Sequence, residues 1–388
     1  MQSLFWVSLF IIGYTYVGYA IVLFILVKVL RLFRSKKSQS ELYELPTVTI
    51  IVAAYNEAYC IEEKIKNTLA LKYPKNKLTI IFVTDGSTDE TPAIVAQYQG
   101  IQLLHQSQRS GKIVAVHRAM QTVRSEITVF TDANTLLNDL ALEKICNHYQ
   151  DPKVGAVAGE KRVAIDNSGD ATAGEGFYWK YESKLKALDS ALNMVVGAAG
   201  ELFSIKTALY VPVPSDTILD DFMISMLIAK NGHRIIYEPN AFALEAASAN
   251  TKEELKRKIR IAAGGIQSFL RLTSLLNPFK YPVLSFQYLS HRILRWTIAP
   301  VLMVVVFILN WLFVLRDHLS GIYVFLLFAQ TIFYALALLG WILQSKSIKL
   351  KLFFIPYYFC MMNYAILAGI HRYFFSSQSV LWEKAKRK

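Results

Sequence analysis

Four stretches without a charged residue decide most of what this chain can fold into. Residues 4–27 form a charge-free run of 24, and three more follow at 297–315, 319–345 and 352–370. At about 1.5 Å per residue a helix of that first length reaches about 36 Å, enough for a hydrocarbon core of about 30 Å. It is too long for the apolar region of a signal peptide, and no small-residue cleavage site follows, so it reads as an uncleaved anchor. Between the first and second runs the composition is that of an ordinary globular protein. With 388 residues there is room for one soluble domain beside the membrane helices. The expected layout is a transmembrane helix at 1–33, a cytosolic domain at 45–250, interfacial amphipathic helices at 251–296, about three transmembrane helices at 297–375 and a basic tail at 376–388.

The formal net charge is +13, and much of the excess flanks the apolar runs. Lys28, Arg31, Arg34, Lys36 and Lys37 follow the first run, and Lys346, Lys349 and Lys351 separate the last two. Cytoplasmic flanks and anionic headgroups favour this placement, whereas a nucleic-acid binder carries its basic patch on a soluble module. The expected partner is therefore the lipid bilayer of the cell (inner) membrane, with no nucleic acid. The N-terminus would lie outside and residue 40 onward in the cytosol. Three cysteines, Cys60, Cys146 and Cys360, are widely spaced and imply neither a disulfide framework nor a zinc site.

One N-terminal and three C-terminal crossings would leave the C-terminus outside, yet its tail, Trp382 to Lys388, is basic and prefers the inside. Either the 352–370 run, which contains Pro356, does not cross fully, or the tail is translocated. Crossing is the expectation, because the 19 uncharged residues between Lys351 and His371 are hard to place otherwise.

Within the globular segment, residues 47–54, 78–85 and 127–132 are short β-branched runs, with helical patterns at 58–71 and 112–124 between them. Such alternation predicts a parallel α/β sheet. The spacing of Ser87 and Glu90 predicts a capping box, with Pro92 early in the helix it opens.

Each run ends in a polar cluster: Tyr55-Asn56-Glu57, Asp85-Gly86-Ser87 and Asp132-Ala133-Asn134. Open α/β sheets bind ligands outside the carboxyl ends of their strands, so the three clusters would converge on one crevice. Taken singly, an Asp-Gly after a strand is a turn. Asp220 and Asp221 precede a helical pattern, where they complement the helix dipole or, in a cleft, supply a general base. Arg257, Lys258 and Arg260 precede Gly264-Gly265 and would hold a diphosphate or lie on the membrane surface.

In this order and spacing, over roughly residues 45–300, the clusters resemble the successive motifs of membrane-bound family 2 glycosyltransferases, the group that includes synthases of cellulose, hyaluronan and poly-N-acetylglucosamine. The resemblance implies a GT-A fold, a Rossmann-like, mostly parallel sheet, flanked by transmembrane helices. It further implies that Tyr55, Glu57 and Asp85 hold the nucleobase and ribose of a nucleotide-sugar donor, with Asn56 among the donor-binding residues and Arg109 and Lys112 near its phosphates. Asp132 stands at the first position of the DxD motif and would bind Mg²⁺ or Mn²⁺; Asn134 stands at its second acid as a neutral ligand. Asp221, beside Asp220, matches the family's general base, and Arg257 and Arg260 lie where its QxxRW motif belongs, without the Gln or the Trp. A second segment, Arg292 to Trp296, keeps the Arg-Trp but lies too far from Asp221.

The implied reaction is a single inverting displacement, with a carboxylate taking the proton of the acceptor hydroxyl. The donor is expected to be a UDP-sugar and the acceptor a growing extracellular polysaccharide. A one-step transfer to a lipid-linked acceptor and a non-catalytic export subunit are the alternatives; an export subunit would be expected to lose the metal acid or the base.

Overall fold

The structure, a computed structural model, describes residues 1–33, 44–163, 173–246, 251–316, 321–345 and 351–376. Arg34, Lys36, Lys37, Lys346, Lys349 and residues 377–388 of the basic tail lie outside the described residues.

The chain opens with α1 (Gln2–Gly13) and α2 (Tyr19–Phe33), joined by a π-helical turn at Tyr14–Gly18. There follow β1 (Val48–Ala54), α3 (Ile61–Leu69), β2 (Leu78–Asp85), α4 (Thr91–Ala96), β3 (Gln102–Gln106), α5 (Lys112–Met120), β4 (Ile127–Asp132), β5 (Thr135–Leu137) and α6 (Ala141–Cys146). Next come β6 (Val154–Val163), α7 (Ala173–Leu192), β7 (Leu202–Lys206), α8 (Asp220–Lys230) and β8 (Arg234–Glu245). The last part is helical: α9 (Thr251–Arg271), α10 (Pro282–Tyr288), a π-helical segment at Leu289–Ile298, α11 (Ala299–Leu315), α12 (Ile322–Ser345) and α13 (Lys351–Phe375).

Two compact units emerge. The sheet unit comprises Leu30–Ala164 and Asp189–Ser248; the helical unit comprises Met1–Val29, Ile165–Leu188 and Ala249–Gln378. The division cuts through α7, whose residues to Leu188 group with the helical unit although they fall within the 45–250 segment.

In the sheet unit eight strands run in the order β3-β2-β1-β4-β7-β6-β8-β5. β1, β2, β3 and β4 are mutually parallel, whereas β7 runs antiparallel to both β4 and β6. Every residue of β1 is buried, as a central parallel strand covered on both faces requires. The order reverses at β1, because β2 and β3 build to one side and β4 to the other. Ala54 pairs with Thr84 and Ala53 with Asp132, so the carboxyl ends of β1, β2 and β4 are level and open on the switch point. Ile50, Val52, Ile61, Ile65, Phe82 and Val129 centre the core, each buried side chain contributing about 1.5–3 kcal/mol.

The capping box does not form. Ser87 Oγ accepts the Asn56 N–H, and Asp89 Oδ1 instead accepts the N–H and hydroxyl of Thr91 at the start of α4.

In the helical unit, four helical stretches among the described residues are long and apolar enough to cross a membrane: Gln2–Phe33, Pro282–Leu315, Ile322–Leu343 and Leu352–Phe375. Phe10, Phe325 and Trp341 point outward at 74%, 65% and 61% exposure, a pattern that suits a lipid environment. Phe5 of α1 packs among Val306, Leu309 and Phe313 of α11. The Glu182 carboxylate is buried beneath His291, Arg292 and Arg295, each bonded to it at 3.0–3.1 Å. α13 lies against α9 at Gly369, where a Cβ would stand 2.5 Å from Ala262 Cβ and 2.9 Å from the Ala263 nitrogen. Only a glycine admits that approach.

Candidate active site

The site in the sheet unit is built from the loops after β1, β2 and β4 and the start of α8. After β1 the chain turns through Asn56, which adopts a left-handed φ of 54°. Asn tolerates that conformation better than most residues, and Asn56 Oδ1 accepts the Thr88 N–H of the next loop at 2.8 Å. The Glu57 and Ala58 N–H groups donate to Thr91 Oγ1 and Asp89 Oδ2, tying the first loop to the second. Glu57 is buried there at 6% exposure.

Asp85 ends β2, and its carboxylate accepts the Ser110 N–H at 3.0 Å and the Gly111 N–H at 2.6 Å. It thereby holds the loop that carries Arg109 and Lys112. Gly86 has φ +66°, and a Cβ there would lie 2.5 Å from Arg109 Cβ. This close approach sets the Arg109 guanidinium 3.8 Å over the ring of Tyr55.

Beyond that stack, Lys112 Nζ lies 2.9 Å from Asp132 Oδ1 and 3.9 Å from Asp220 Oδ2. Burial disfavours its ammonium, but Asp132, Asp220 and Asp221 outweigh burial and raise its pKa above the ordinary lysine value. Burial also raises the Asp132 pKa, against the pull of Lys112. Asp221, in the first turn of α8, accepts the Phe222 N–H at 2.8 Å. Burial, then the neighbouring Asp220 charge, push its pKa up to about 7. Gly200 backs onto both groups: a Cβ there would lie 3.2 Å from Asp221 Oδ2 and 3.5 Å from Lys112 Nζ. Asn134 is half-buried in the turn after β4.

The structure thus brings Tyr55 to Arg109 and Lys112 to Asp132 and Asp220. Arg257 belongs to the helical unit, where it pairs with Glu254 at 3.2 Å; Arg260 lies one turn further along α9. Arg292 and Arg295, the other arginine pair, clamp Glu182 in the same unit.

Sequence reasoning missed Lys64 and Glu201. Lys64 is fully buried, donating to Thr131 Oγ1 at 2.9 Å and to the Thr135 carbonyl at 2.7 Å. Burial draws its pKa down to about 7, with Asp132 and Cys60 opposing. The signal was a charge on the apolar face of α3, between Ile61, Ile65 and Thr68. Glu201, half-buried, pairs with the buried Lys161 at 2.6 Å, and the buried Glu245 pairs with the same ammonium.

The switch point of the α/β sheet thus carries carboxylates around a cation, beside an arginine-capped aromatic ring. Residues 49–205 match Glycosyl transferase family 2. The poly-beta-1,6-N-acetyl-D-glucosamine synthase of Staphylococcus aureus (strain COL) is 28% identical over 244 residues, 61% of this chain and 59% of that protein. The synthase of the same name from Staphylococcus epidermidis is 26% identical over 251 residues. The aligned part thus spans 59% of the length of these curated relatives. The fold is shared with the mannosyltransferase PcManGT from Pyrobaculum calidifontis, solved with GDP-Man and Mn²⁺ (TM-score 0.71, 24% identity, 96% of this chain and 99% of that one). That likeness makes the sheet unit a GT-A fold.

Proposed function

We propose that this protein is an inverting glycosyltransferase that extends an extracellular polysaccharide from a nucleotide-sugar, with UDP-N-acetylglucosamine as donor. The observation that carries the reading is the Lys112 ammonium held among Asp132, Asp220 and Asp221, a cation position with a base-like carboxylate beside it. The relatives' names supply the sugar.

The residues fit a hard divalent cation in part. Among the described residues no group of three or more His, Cys, Asp or Glu stands ready for a metal. However, Asp132 and Asn134 would offer a carboxylate and an amide oxygen, and the place beside Asp132 already holds the positive charge of Lys112. The donor diphosphate would complete the ligands. Mg²⁺ or Mn²⁺ there would neutralise charge on the departing diphosphate.

The protein's own groups have separate tasks. Arg109 and Lys112 would meet the phosphates, and Tyr55, Asn56, Glu57 and Asp85 would frame the nucleoside end. Asp221, its pKa raised to about 7, would accept the proton of the acceptor hydroxyl as that oxygen attacks the anomeric carbon. One displacement inverts the centre and needs no covalent sugar. The sheet unit would face the cytosol, where nucleotide-sugars are found. In this reading α13 does not cross: Gly369 is locked to Ala262 and Ala263 of α9, the helix that carries Arg257, Lys258 and Arg260.

The test is the purified chain incubated with UDP-sugars and GDP-mannose, followed by mass analysis of the product. A ladder of N-acetylhexosamine additions is expected. A single addition to a lipid would replace polymerisation with one-step transfer, and no transfer from any donor would overturn the reading.

A further inference from the structure

Lys64 is a buried cation to which the proposed reaction gives no task. It has 0% exposure, on the face of α3 otherwise occupied by Ile61, Ile65 and Thr68. A methionine would fill that position without the desolvation that a buried ammonium suffers. What the ammonium touches is therefore informative. It donates to Thr131 Oγ1 at 2.9 Å, to the Thr135 carbonyl at 2.7 Å and to Thr135 Oγ1 at 3.4 Å. These residues bracket the Asp132-Ala133-Asn134 turn.

The network continues on both sides. The Thr135 hydroxyl donates to the Asp132 carbonyl at 2.9 Å, closing the turn on itself. The Thr131 hydroxyl donates to the Glu201 carbonyl at 2.9 Å, next to the Gly200 backbone that lies against Asp221 and Lys112. A single side chain thus fixes the end of β4, the turn carrying Asp132 and Asn134, and the backbone facing Asp221.

We propose that Lys64 is a positioning residue of the transfer site, holding the Asp132–Thr135 turn and the Glu201 backbone in the geometry that receives the metal–diphosphate end of the donor. It touches neither donor nor acceptor and acts through Thr131 and Thr135. The inference rests on the glycosyltransferase reading above.

The test compares the full-length native protein with Lys64→Met and Thr131→Val, and with the two combined, in detergent. Mn²⁺ binding is followed by paramagnetic resonance in the presence of UDP and, separately, of GDP, with thermal unfolding measured in parallel. Lys64→Met should keep or raise the melting temperature while weakening Mn²⁺–nucleotide binding about tenfold. Thr131→Val should weaken it in the same direction, and the double variant should lose little more than the worse single one. Native-like Mn²⁺–nucleotide binding by Lys64→Met overturns the proposal. So does a loss of binding accompanied by an equal loss of melting temperature, which would mark a role in folding only. Should Lys64→Met not fold, native-like binding by Thr131→Val overturns it. Absence of Mn²⁺–nucleotide binding in the native protein sinks the functional reading instead, and this inference with it.

Discussion

Lys112 Nζ stands 2.9 Å from Asp132 Oδ1, so the carboxylate proposed to meet the metal is already paired with the protein's own cation. Lys112→Met should expose Asp132, Asp220 and Asp221 to one another. Removing one partner of a wholly buried pair costs about 3–5 kcal/mol, and this pair is partly wet, so about 1–3 kcal/mol is expected. Thermal unfolding in chelator should register the loss, and added Mn²⁺ should restore part of it. A variant as stable as the native protein in chelator would show that Lys112 does not balance these charges.

Asp221→Asn removes the proposed base at nearly constant size. Turnover should fall about 10²- to 10⁴-fold while nucleotide binding persists. If Asp220→Asn collapses turnover and Asp221→Asn does not, the base is the other carboxylate.

The pH profile follows from the raised Asp221 pKa. A base works deprotonated, so kcat/KM should decline as pH falls through about 7. Asp220→Asn removes the neighbouring negative charge and should move that acid limb to lower pH. An unmoved limb would mean that another group titrates.

Gly86→Ala forces a Cβ to 2.5 Å from Arg109 Cβ at a φ of +66°. Strain of this kind costs about 1–3 kcal/mol. Because the displaced residue is Arg109, the donor KM should rise along with the drop in melting temperature. A lower melting temperature with unchanged KM would remove Arg109 from the donor site.

Orientation can be read with single cysteines in a background without Cys60, Cys146 and Cys360. Gln121→Cys, on the exposed surface of the sheet unit, should resist an impermeant thiol reagent in intact cells. Arg316→Cys, after α11, should react from outside. Labelling of position 121 in unbroken cells contradicts a cytosolic transferase.

The site was legible where it depends on strand ends. β1, β2 and β4 fall within a residue of the runs read from sequence, because β-branched residues buried on both faces leave a continuous apolar signature. Their polar clusters converge because parallel strands end level. What stayed hidden depends on distant partners. Lys64 meets Thr131 and Thr135 across 67 and 71 residues, a pairing no local pattern encodes. Ser87 read as a cap because Glu90 is near in sequence, yet its partner is Asn56, 31 residues away. β7 is a five-residue strand, too short to announce that it inserts antiparallel between β4 and β6.

The glycine contact between α9 and α13 has a consequence of parity. Two helices locked backbone to backbone at Gly369 and Ala263 share one depth, so the end of α13 lies at whatever level α9 takes. If α9 lies at a membrane surface, the remaining candidate spans are α1–α2, α11 and α12, an odd number, and Ser376 falls on the face opposite to Met1. Ser376→Cys would then stay shielded in intact cells, and its labelling from outside would restore a fourth crossing.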